Sequence, residues 1–320
     1  MTLDWYNCYR DSWDRLITPE SFAHPAKAAR GLLVRIFAYA FERGWLWKGA
    51  TVVDCFSGIG TTLIEGASRG CYVVGCELEP CFVDLVKANI ELHRAMWEAS
   101  GDPIPVIVQG DSRRLVELLG LALADAVCSS PPFGQLSAMP GGIADSIISS
   151  PPYAQAISGD HGETETAAES LAKRRTKGGS LGQSCRFGSY GITPGNISNL
   201  NSDTFWAAAK IIISQCFLIL RPSGMAIWIT KDFIRNKVRV PFSNDWKRLN
   251  EVCGFEFVEW IKASLVETDE HPSLFDQVDT TKRTKRASFF RRLYEKKYPD
   301  NAIDEEDVLV FRKPYAITIL

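Results

Sequence analysis

The segment 50–67 is the feature that most constrains the fold of this 320-residue chain. A short β-branched run, Thr51 to Asp54, ends in an acid and is followed by a turn with two glycines. Apolar residues then recur at helical spacing at Leu63, Ile64 and Ala67. A strand, a tight loop and a helix N-terminus in this order open a doubly wound α/β sheet. We therefore expect a Rossmann-like fold.

The loop does not match the loops that bind phosphate groups. It lacks the Lys-Ser or Lys-Thr pair of ATPases, and Leu63 stands where the dinucleotide fingerprint G-x-G-x-x-G needs its third glycine. Instead, Asp54 ends the strand, where an acid repels phosphate and attracts a cationic amino acid. The ligand that suits this loop carries an ammonium group and a nucleoside, as S-adenosylmethionine does.

Two further acids follow the next two strands. Glu77 ends the apolar run 71–77, and an acid in that position hydrogen-bonds the hydroxyls of a ribose. Asp111 comes after the run 106–109, where it is placed to accept from an adenine amino group. Because successive parallel strands end at one edge of a sheet, Asp54, Glu77 and Asp111 are expected to form one site.

Composition narrows the class of protein. Apolar residues make up 46% and charged residues 23%, and the net charge is −2, so any contact with nucleic acid must come from a local patch. The sequence contains no run of about 18 apolar residues, so no membrane span is predicted. Nine cysteines without a C-x-x-C pair fit a reducing cytosol, and four histidines far apart in sequence predict no metal site. We expect a cytoplasmic protein of prokaryotic or phage origin.

The chain repeats a strand together with the motif that ends it. Residues 124–133 read A-D-A-V-C-S-S-P-P-F, and residues 144–153 read A-D-S-I-I-S-S-P-P-Y. Such a motif suits chemistry on an exocyclic amine, whose lone pair is delocalised into the base. A serine oxygen and the first proline carbonyl can accept from the amine, and the prolines bring no competing N–H donors. The aromatic residue can stack on a base extruded from a duplex.

These motifs resemble those of the amino-group DNA methyltransferases, which make N4-methylcytosine or N6-methyladenine. Residues 54–62 are similar to their cofactor loop D-P-F-x-G-x-G-T-T, with Cys55 in place of proline, and residues 150–153 resemble their motif S/D/N-P-P-Y/F. Residues 24–27 resemble the segment that precedes the loop and helps to enclose the cofactor. The resemblance covers most of 21–265 and 300–313. It implies one catalytic domain over 1–320, with a mostly parallel sheet, an antiparallel last strand and insertions.

The resemblance also implies ligands and site residues. The cofactor is S-adenosylmethionine, the product S-adenosylhomocysteine, and the partner double-stranded DNA, with a cognate restriction enzyme as a second candidate partner. The expected cofactor residues are His24, Lys27, Asp54, Phe56, Ser57, Gly58, Gly60, Thr61, Thr62, Glu77, Asp111 and Ser112. The expected catalytic residues are those of the two motifs, Ser130, Pro131, Pro132 and Phe133, and Ser150, Pro151, Pro152 and Tyr153.

Two choices stay open at this point. Serine at the head of the motif favours cytosine N4 over adenine N6, although serine occurs in both groups of the family. The first motif has the better spacing after Asp111, whereas the second carries tyrosine and leads directly into a polar segment, which narrowly favours Ser150–Tyr153.

Two polar segments are the expected DNA contacts. Residues 154–202 are rich in glycine and serine and predict a mobile insertion, and residues 265–300 form a basic insertion with interleaved aromatics. The expected phosphate contacts are Lys173, Arg174, Arg175, Lys177, Arg283, Lys285 and Arg286. The alternatives are an RNA guanine-N2 methyltransferase, a protein-glutamine methyltransferase and a nucleic-acid-binding subunit without activity. The first two families carry Asp or Asn where this chain has serine.

Overall fold

A computed structural model describes residues 2–24, 27–121, 124–132, 193–200, 202–235, 238–272, 278–284 and 303–315. Its main feature is an eight-stranded sheet with helices on both faces. The strands of the chain are β1 Thr2–Trp5, β2 Thr51–Asp54, β3 Tyr72–Glu77, β4 Val106–Gln109, β5 Ala124–Ser129, β6 Leu220–Thr230, β7 Phe233–Arg235, β8 Val238–Val240, β9 Glu256–Ser264, β10 Val266–Pro272, β11 Val278–Thr284 and β12 Glu305–Arg312. The helices are α1 Arg30–Glu42, α2 Thr61–Ala67, α3 Pro80–Ser100, α4 Leu115–Leu119, α5 Ser202–Ile219 and α6 Phe242–Val252.

The strand order of the sheet is β1-β9-β12-β6-β5-β2-β3-β4. Strands β2 to β6 pair in parallel, so their carboxyl ends lie at one edge. The order reverses between β2 and β5, because β3 and β4 lie on one side of β2 while β5 and β6 lie on the other. Such a reversal leaves a crevice outside the strand ends, which is where open α/β sheets bind ligands.

Strand β12 is antiparallel to both of its neighbours, β6 and β9. A mostly parallel, doubly wound sheet whose last strand in the chain runs antiparallel is the predicted fold class, and it is confirmed. The N-terminal segment adds an edge strand to this sheet. Residues 2–5 form a strand that pairs in parallel with β9 at the edge of the sheet. The side chain of Trp5, the last residue of this strand, is buried in the hydrophobic core on one face of the sheet.

The sheet has a separate hydrophobic core on each face. Alternate residues of a strand enter opposite cores, as Val52 and Val53 of β2 do, because side chains in a strand point to opposite faces. Helices α1, α2 and α3 cover one face and contribute Phe37, Leu63 and Trp97. Helices α5 and α6 cover the other face. A central sheet buried on both faces explains why its strands read as continuous apolar runs.

Two elements of the fold are irregular. A 3-10 turn at Ser112–Arg114 leads into the short helix α4. The helix ends because Gly120 adopts a φ of 91°, which breaks the helical path. Strand β6 runs through residues 221–224 as a bulge, with Ser223 at a φ of 64°.

Two small hairpins extend the fold beyond the main sheet. Strands β7 and β8 pair antiparallel after β6, and β10 and β11 pair antiparallel after β9. The second hairpin lies within the basic insertion that was expected over 265–300. Residues 273–277 and 285–300 of that insertion are outside the described ranges. None of the described helices has both the length and the hydropathy required to cross a bilayer.

Candidate functional site

The crevice at the carboxyl ends of β2 to β5 contains a cavity lined by residues of several elements. It brings together nearly all the residues that were predicted from the sequence to hold the cofactor. Those on its wall are His24, Lys27, Asp54, Phe56, Ser57, Gly58, Thr61, Thr62, Glu77, Asp111 and Ser112. The remaining one, Gly60, directly precedes α2 and has a φ of 80°.

Asp54 occupies the point where the strand order reverses. It is buried, and its Oδ1 accepts hydrogen bonds from the hydroxyl of Ser129 at 2.6 Å and from the amide of Phe56 at 3.0 Å. Burial raises the pKa of Asp54, although hydrogen bonds from Ser129, Thr62 and Phe56 act against that shift. Among the described residues no basic group contributes to this shift, so a cation in the crevice beside Asp54 would stabilise its ionised form.

Glu77 holds the cofactor loop from the neighbouring strand. Its carboxylate accepts from the amide of Gly58 at 2.8 Å and from the amide of Glu79 at 2.9 Å. Burial raises the pKa of Glu77 to about 7, and the charges of Glu79 and Asp54 add to that shift. The two acids therefore lie close enough to repel each other when both are ionised.

Asp111 lies at the same edge, but its carboxylate is already engaged. Both of its oxygens accept from the guanidinium of Arg113, and Oδ1 also accepts from the Arg113 amide at 2.9 Å. Burial alone would raise the pKa of Asp111, but the hydrogen bonds from Arg113 outweigh burial and lower it. An adenine amino group would share this carboxylate with Arg113. The neighbouring Ser112 hydroxyl donates to the carbonyl of Cys55 at 2.6 Å.

The segment before α1 forms another part of the wall. His24 is buried edge-on against Phe82, with ring centroids 4.5 Å apart, and burial lowers its pKa to about 3, so the imidazole is neutral at physiological pH. The ammonium of Lys27 donates to the carbonyls of Phe22 and His24, and burial lowers the pKa of Lys27. Both residues line the cavity, but Lys27 also fixes the backbone that carries His24.

The first Ser-Pro-Pro motif reaches the same cavity. Ser130, Pro131 and Pro132 follow β5 directly and line the wall together with Asp54 and Glu77. The last residue of that motif, Phe133, is outside the described residues, as are the second-motif residues Ser150, Pro151, Pro152 and Tyr153.

Several polar residues that shape the site were not singled out from the sequence. Ser129 joins β5 to Asp54, and Glu79 is buried in the turn after β3. Asn89 of α3 donates to the carbonyl of Ile59 at 2.9 Å and so holds the cofactor loop from behind. Asn196 lies on the cavity wall although it is far along the chain from the other residues. The serine pair at 129–130 was a visible signal, whereas the other three carried none.

The predicted phosphate contacts lie almost entirely outside the described ranges. Lys173, Arg174, Arg175, Lys177, Lys285 and Arg286 belong to segments that the structure does not describe. Arg283 is on β11, where its backbone pairs with Glu267. Within the described ranges, no three His, Cys, Asp or Glu side chains are grouped as ligands of a metal ion.

No family model matches the chain, and no curated protein matches it. Solved structures align with it at low identity. TrmN from Thermus thermophilus is 13% identical, with a TM-score of 0.42, and the alignment covers 92% of this chain but only 52% of TrmN. A TehB-like SAM-dependent methyltransferase from Corynebacterium glutamicum is 13% identical, with a TM-score of 0.38, over 88% of this chain and 86% of the other.

The [4+2]-cyclase SpnF is 12% identical, with a TM-score of 0.45, and the alignment covers 91% of this chain and 85% of SpnF. Similarities this distant do not extend to chemistry or substrate. The fold class is instead established by strand order and direction within the sheet itself.

Proposed function

We propose that the protein transfers a methyl group from S-adenosylmethionine to the exocyclic amino group of a DNA base, with cytosine N4 favoured. One observation carries the proposal. The Ser130–Pro132 motif lines the same cavity as the predicted cofactor residues Asp54, Glu77 and Asp111. A site for transfer between two ligands needs both ligands in contact, and this arrangement supports that requirement.

The chemistry of the wall fits the cofactor. Asp54 and Glu77 give the crevice a negative character, which favours a ligand with ammonium and sulfonium groups. Glu77 ends the second strand of the βαβ unit, where a carboxylate accepts from ribose hydroxyls. When bound, S-adenosylmethionine would supply an electrophilic methyl group to the amine, which would lose one proton to solvent, and S-adenosylhomocysteine would be the product.

The target side of the cavity offers acceptors. Pro131 and Pro132 have no N–H, so the backbone there presents carbonyl oxygens to an amine without competing donors. The Ser130 hydroxyl and the Pro131 carbonyl are assigned to the two amino hydrogens. Holding both hydrogens directs the nitrogen lone pair away from the ring and towards the cofactor. The base must leave the duplex to reach such a crevice.

Serine at position 130 favours cytosine N4 through the family resemblance, and adenine N6 is the alternative outcome. The first motif is preferred here to Ser150–Tyr153 because it lines the described cavity. The tyrosine of the second motif remains a reason to test both.

The test combines binding with transfer. Calorimetry with S-adenosylhomocysteine measures the cofactor site, and tritiated methyl transfer to plasmid DNA, followed by nucleoside analysis, identifies the base. Ser130→Ala and Ser150→Ala are compared with Ser12→Ala, an exposed serine. N4-methylcytosine in the wild-type product and at least a tenfold loss of transfer in Ser130→Ala support the proposal.

Each other outcome overturns a defined part of it. If the product is N6-methyladenine, the proposed target base is wrong. If only Ser150→Ala loses transfer, the second motif and not the first is the catalytic one. Methylation of RNA alone removes DNA as the substrate. Absence of S-adenosylhomocysteine binding by folded wild-type protein overturns the whole assignment.

A further inference from the structure

Glu79 is a buried carboxylate that the proposed reaction does not use. It lies in the turn between β3 and α3 and is 1% exposed. Three hydrogen bonds from one distant turn satisfy it: the Thr193 amide at 2.9 Å, the Thr193 hydroxyl at 2.7 Å and the side-chain amide of Asn196 at 2.7 Å. Hydrogen bonds to a buried charged group are among the stronger ones in proteins.

A second contact holds the same turn from the end of β4. The guanidinium of Arg113, which pairs with Asp111, also donates to the carbonyl of Gly195 at 3.3 Å. Gly195 adopts a φ of 89°, and a Cβ there would lie 2.4 Å from the Arg113 guanidinium nitrogen. The positive φ favours glycine at this position, and Arg113 lies directly against it.

The turn forms part of the cavity wall. Gly195, Asn196 and Ile197 line the cavity, and Leu78 and Ser112 on the same wall belong to the turns after β3 and β4. The ends of these two strands lie on the side of Glu77, the acid assigned to the ribose. The turn 193–197 is therefore on the nucleoside side of the site.

We infer that Glu79 is a positioning residue that builds the adenosine-binding wall of the cofactor pocket by anchoring the turn 193–197. This inference rests on the proposed cofactor. Glu79 does not line the cavity itself and acts through Thr193 and Asn196. Because a buried carboxylate without donors is costly, Glu79 and the turn dock as one unit. The wall then consists of backbone and side chains that the strand ends alone would not supply.

The central variant is Glu79→Gln, which keeps the shape of the side chain but removes the charge that all three donors face and puts an amide opposite the Thr193 hydroxyl. We expect S-adenosylhomocysteine to bind about 10- to 100-fold more weakly in calorimetry, because three charge-assisted hydrogen bonds become neutral ones. Thr193→Val removes only one of the three bonds and is expected to weaken binding about threefold to tenfold. Glu98→Gln, on the exposed side of α3, is the matched control with unchanged binding.

A positioning role also predicts effects that a loss of folding would not give. In transfer assays Glu79→Gln should raise the KM for S-adenosylmethionine while kcat at saturating cofactor stays within about twofold. The losses of Glu79→Gln and Asn196→Ala should be non-additive in the double variant, because both break the same contact. Circular dichroism and the unliganded Tm report whether each variant is folded.

The outcomes separate this inference from the proposed function. If the wild-type protein does not bind S-adenosylhomocysteine, the proposed function fails, and this inference fails with it. If the wild-type protein binds and folded Glu79→Gln and Thr193→Val bind equally well, only the role of Glu79 is overturned. If Glu79→Gln does not fold, unchanged binding by folded Thr193→Val overturns the role, and the expected threefold to tenfold loss supports it.

Discussion

Ser129 donates a 2.6 Å hydrogen bond to Oδ1 of Asp54 across the point where the strand order reverses between β2 and β5. The same hydroxyl accepts from the Phe56 amide at 3.1 Å. One side chain therefore joins the cofactor loop to the strand that carries the Ser130–Pro132 motif. The neighbouring Ser130 is on the cavity wall, so the two adjacent serines have different surroundings.

Ser129→Ala is expected to lower the free energy of unfolding by about 1–3 kcal/mol, because Asp54 and the Phe56 amide each lose a partner in a buried site. Urea denaturation monitored by circular dichroism measures the change. The exposed Ser12→Ala is the control and should stay within about 0.5 kcal/mol of the wild-type protein. Equal stability of the two variants would show that the Ser129 contact contributes nothing.

Gly60→Ala is expected to destabilise the protein through both backbone and packing. Gly60 has a φ of 80°, and a Cβ there would lie 2.9 Å from Cγ1 of Val86. Gly101→Ala is the matched control, since Gly101 has a φ of 68° with nothing within 4 Å of the added Cβ. Backbone strain of about 1–2 kcal/mol should appear in both variants, and the excess in Gly60→Ala measures the contact with Val86.

The double variant Gly60→Ala, Val86→Ala tests that assignment. Measured against Val86→Ala alone in urea denaturation, the added Gly60→Ala change should still cost the backbone strain but no longer the excess that the contact with Val86 causes. An excess that persists without the valine side chain would place the clash elsewhere.

Glu77 is expected to make stability depend on pH. The pKa of Glu77 is raised from 4.5 to about 7 by burial, so between these values the folded protein keeps a proton that the unfolded chain has released. The free energy of unfolding contributed by this group therefore falls as pH rises from about 4.5 to 7 and is level above that range. Glu77→Gln should remove this slope.

Urea denaturation of the wild-type protein and of Glu77→Gln at several pH values between 5 and 8 measures this dependence of stability on pH. The difference in stability between Glu77→Gln and the wild-type protein should shift in favour of the variant as pH rises. Glu98→Gln, which changes an exposed acid, should run parallel to the wild-type protein. A constant difference for Glu77→Gln would mean that its carboxyl titrates at an ordinary pKa.

Trp5→Ala is expected to cost about 3–5 kcal/mol in the free energy of unfolding, because Trp5 is 2% exposed and packs edge-on against Tyr39 with ring centroids 5.3 Å apart. Its neighbour Tyr6 is 57% exposed, so Tyr6→Ala should stay within about 0.5 kcal/mol of the wild-type protein. The pair is compared by urea denaturation. Similar losses in the two variants would contradict the docking of β1 on the sheet.

The sequence was sufficient to predict which residues meet at one edge of the sheet. Asp54, Glu77 and Asp111 each follow a short apolar run, and parallel strands bring such ends to one edge. That rule does not depend on side-chain packing, so it can be applied to the sequence without knowledge of the tertiary structure. The Ser130–Pro132 motif reaches the same edge by the same rule, since it follows β5 directly.

Contacts between distant parts of the chain were not predictable in this way. Nothing in residues 193–197 indicates docking on Glu79. The polar, four-residue strand β1 has too little hydrophobic pattern to specify its partner. Such contacts are decided by the tertiary surroundings, which local spacing does not encode.

The pairing of β1 with β9 also affects how the protein matures during translation. Residues 2–5 leave the ribosome long before their partners 260–263. The parallel domain core can form earlier, since β2 to β5 all lie before residue 130. Until β9 is made, the nascent chain can place Trp5 against Tyr39 but lacks the strand with which residues 2–5 pair, so this edge of the sheet forms after the parallel strands β2 to β5.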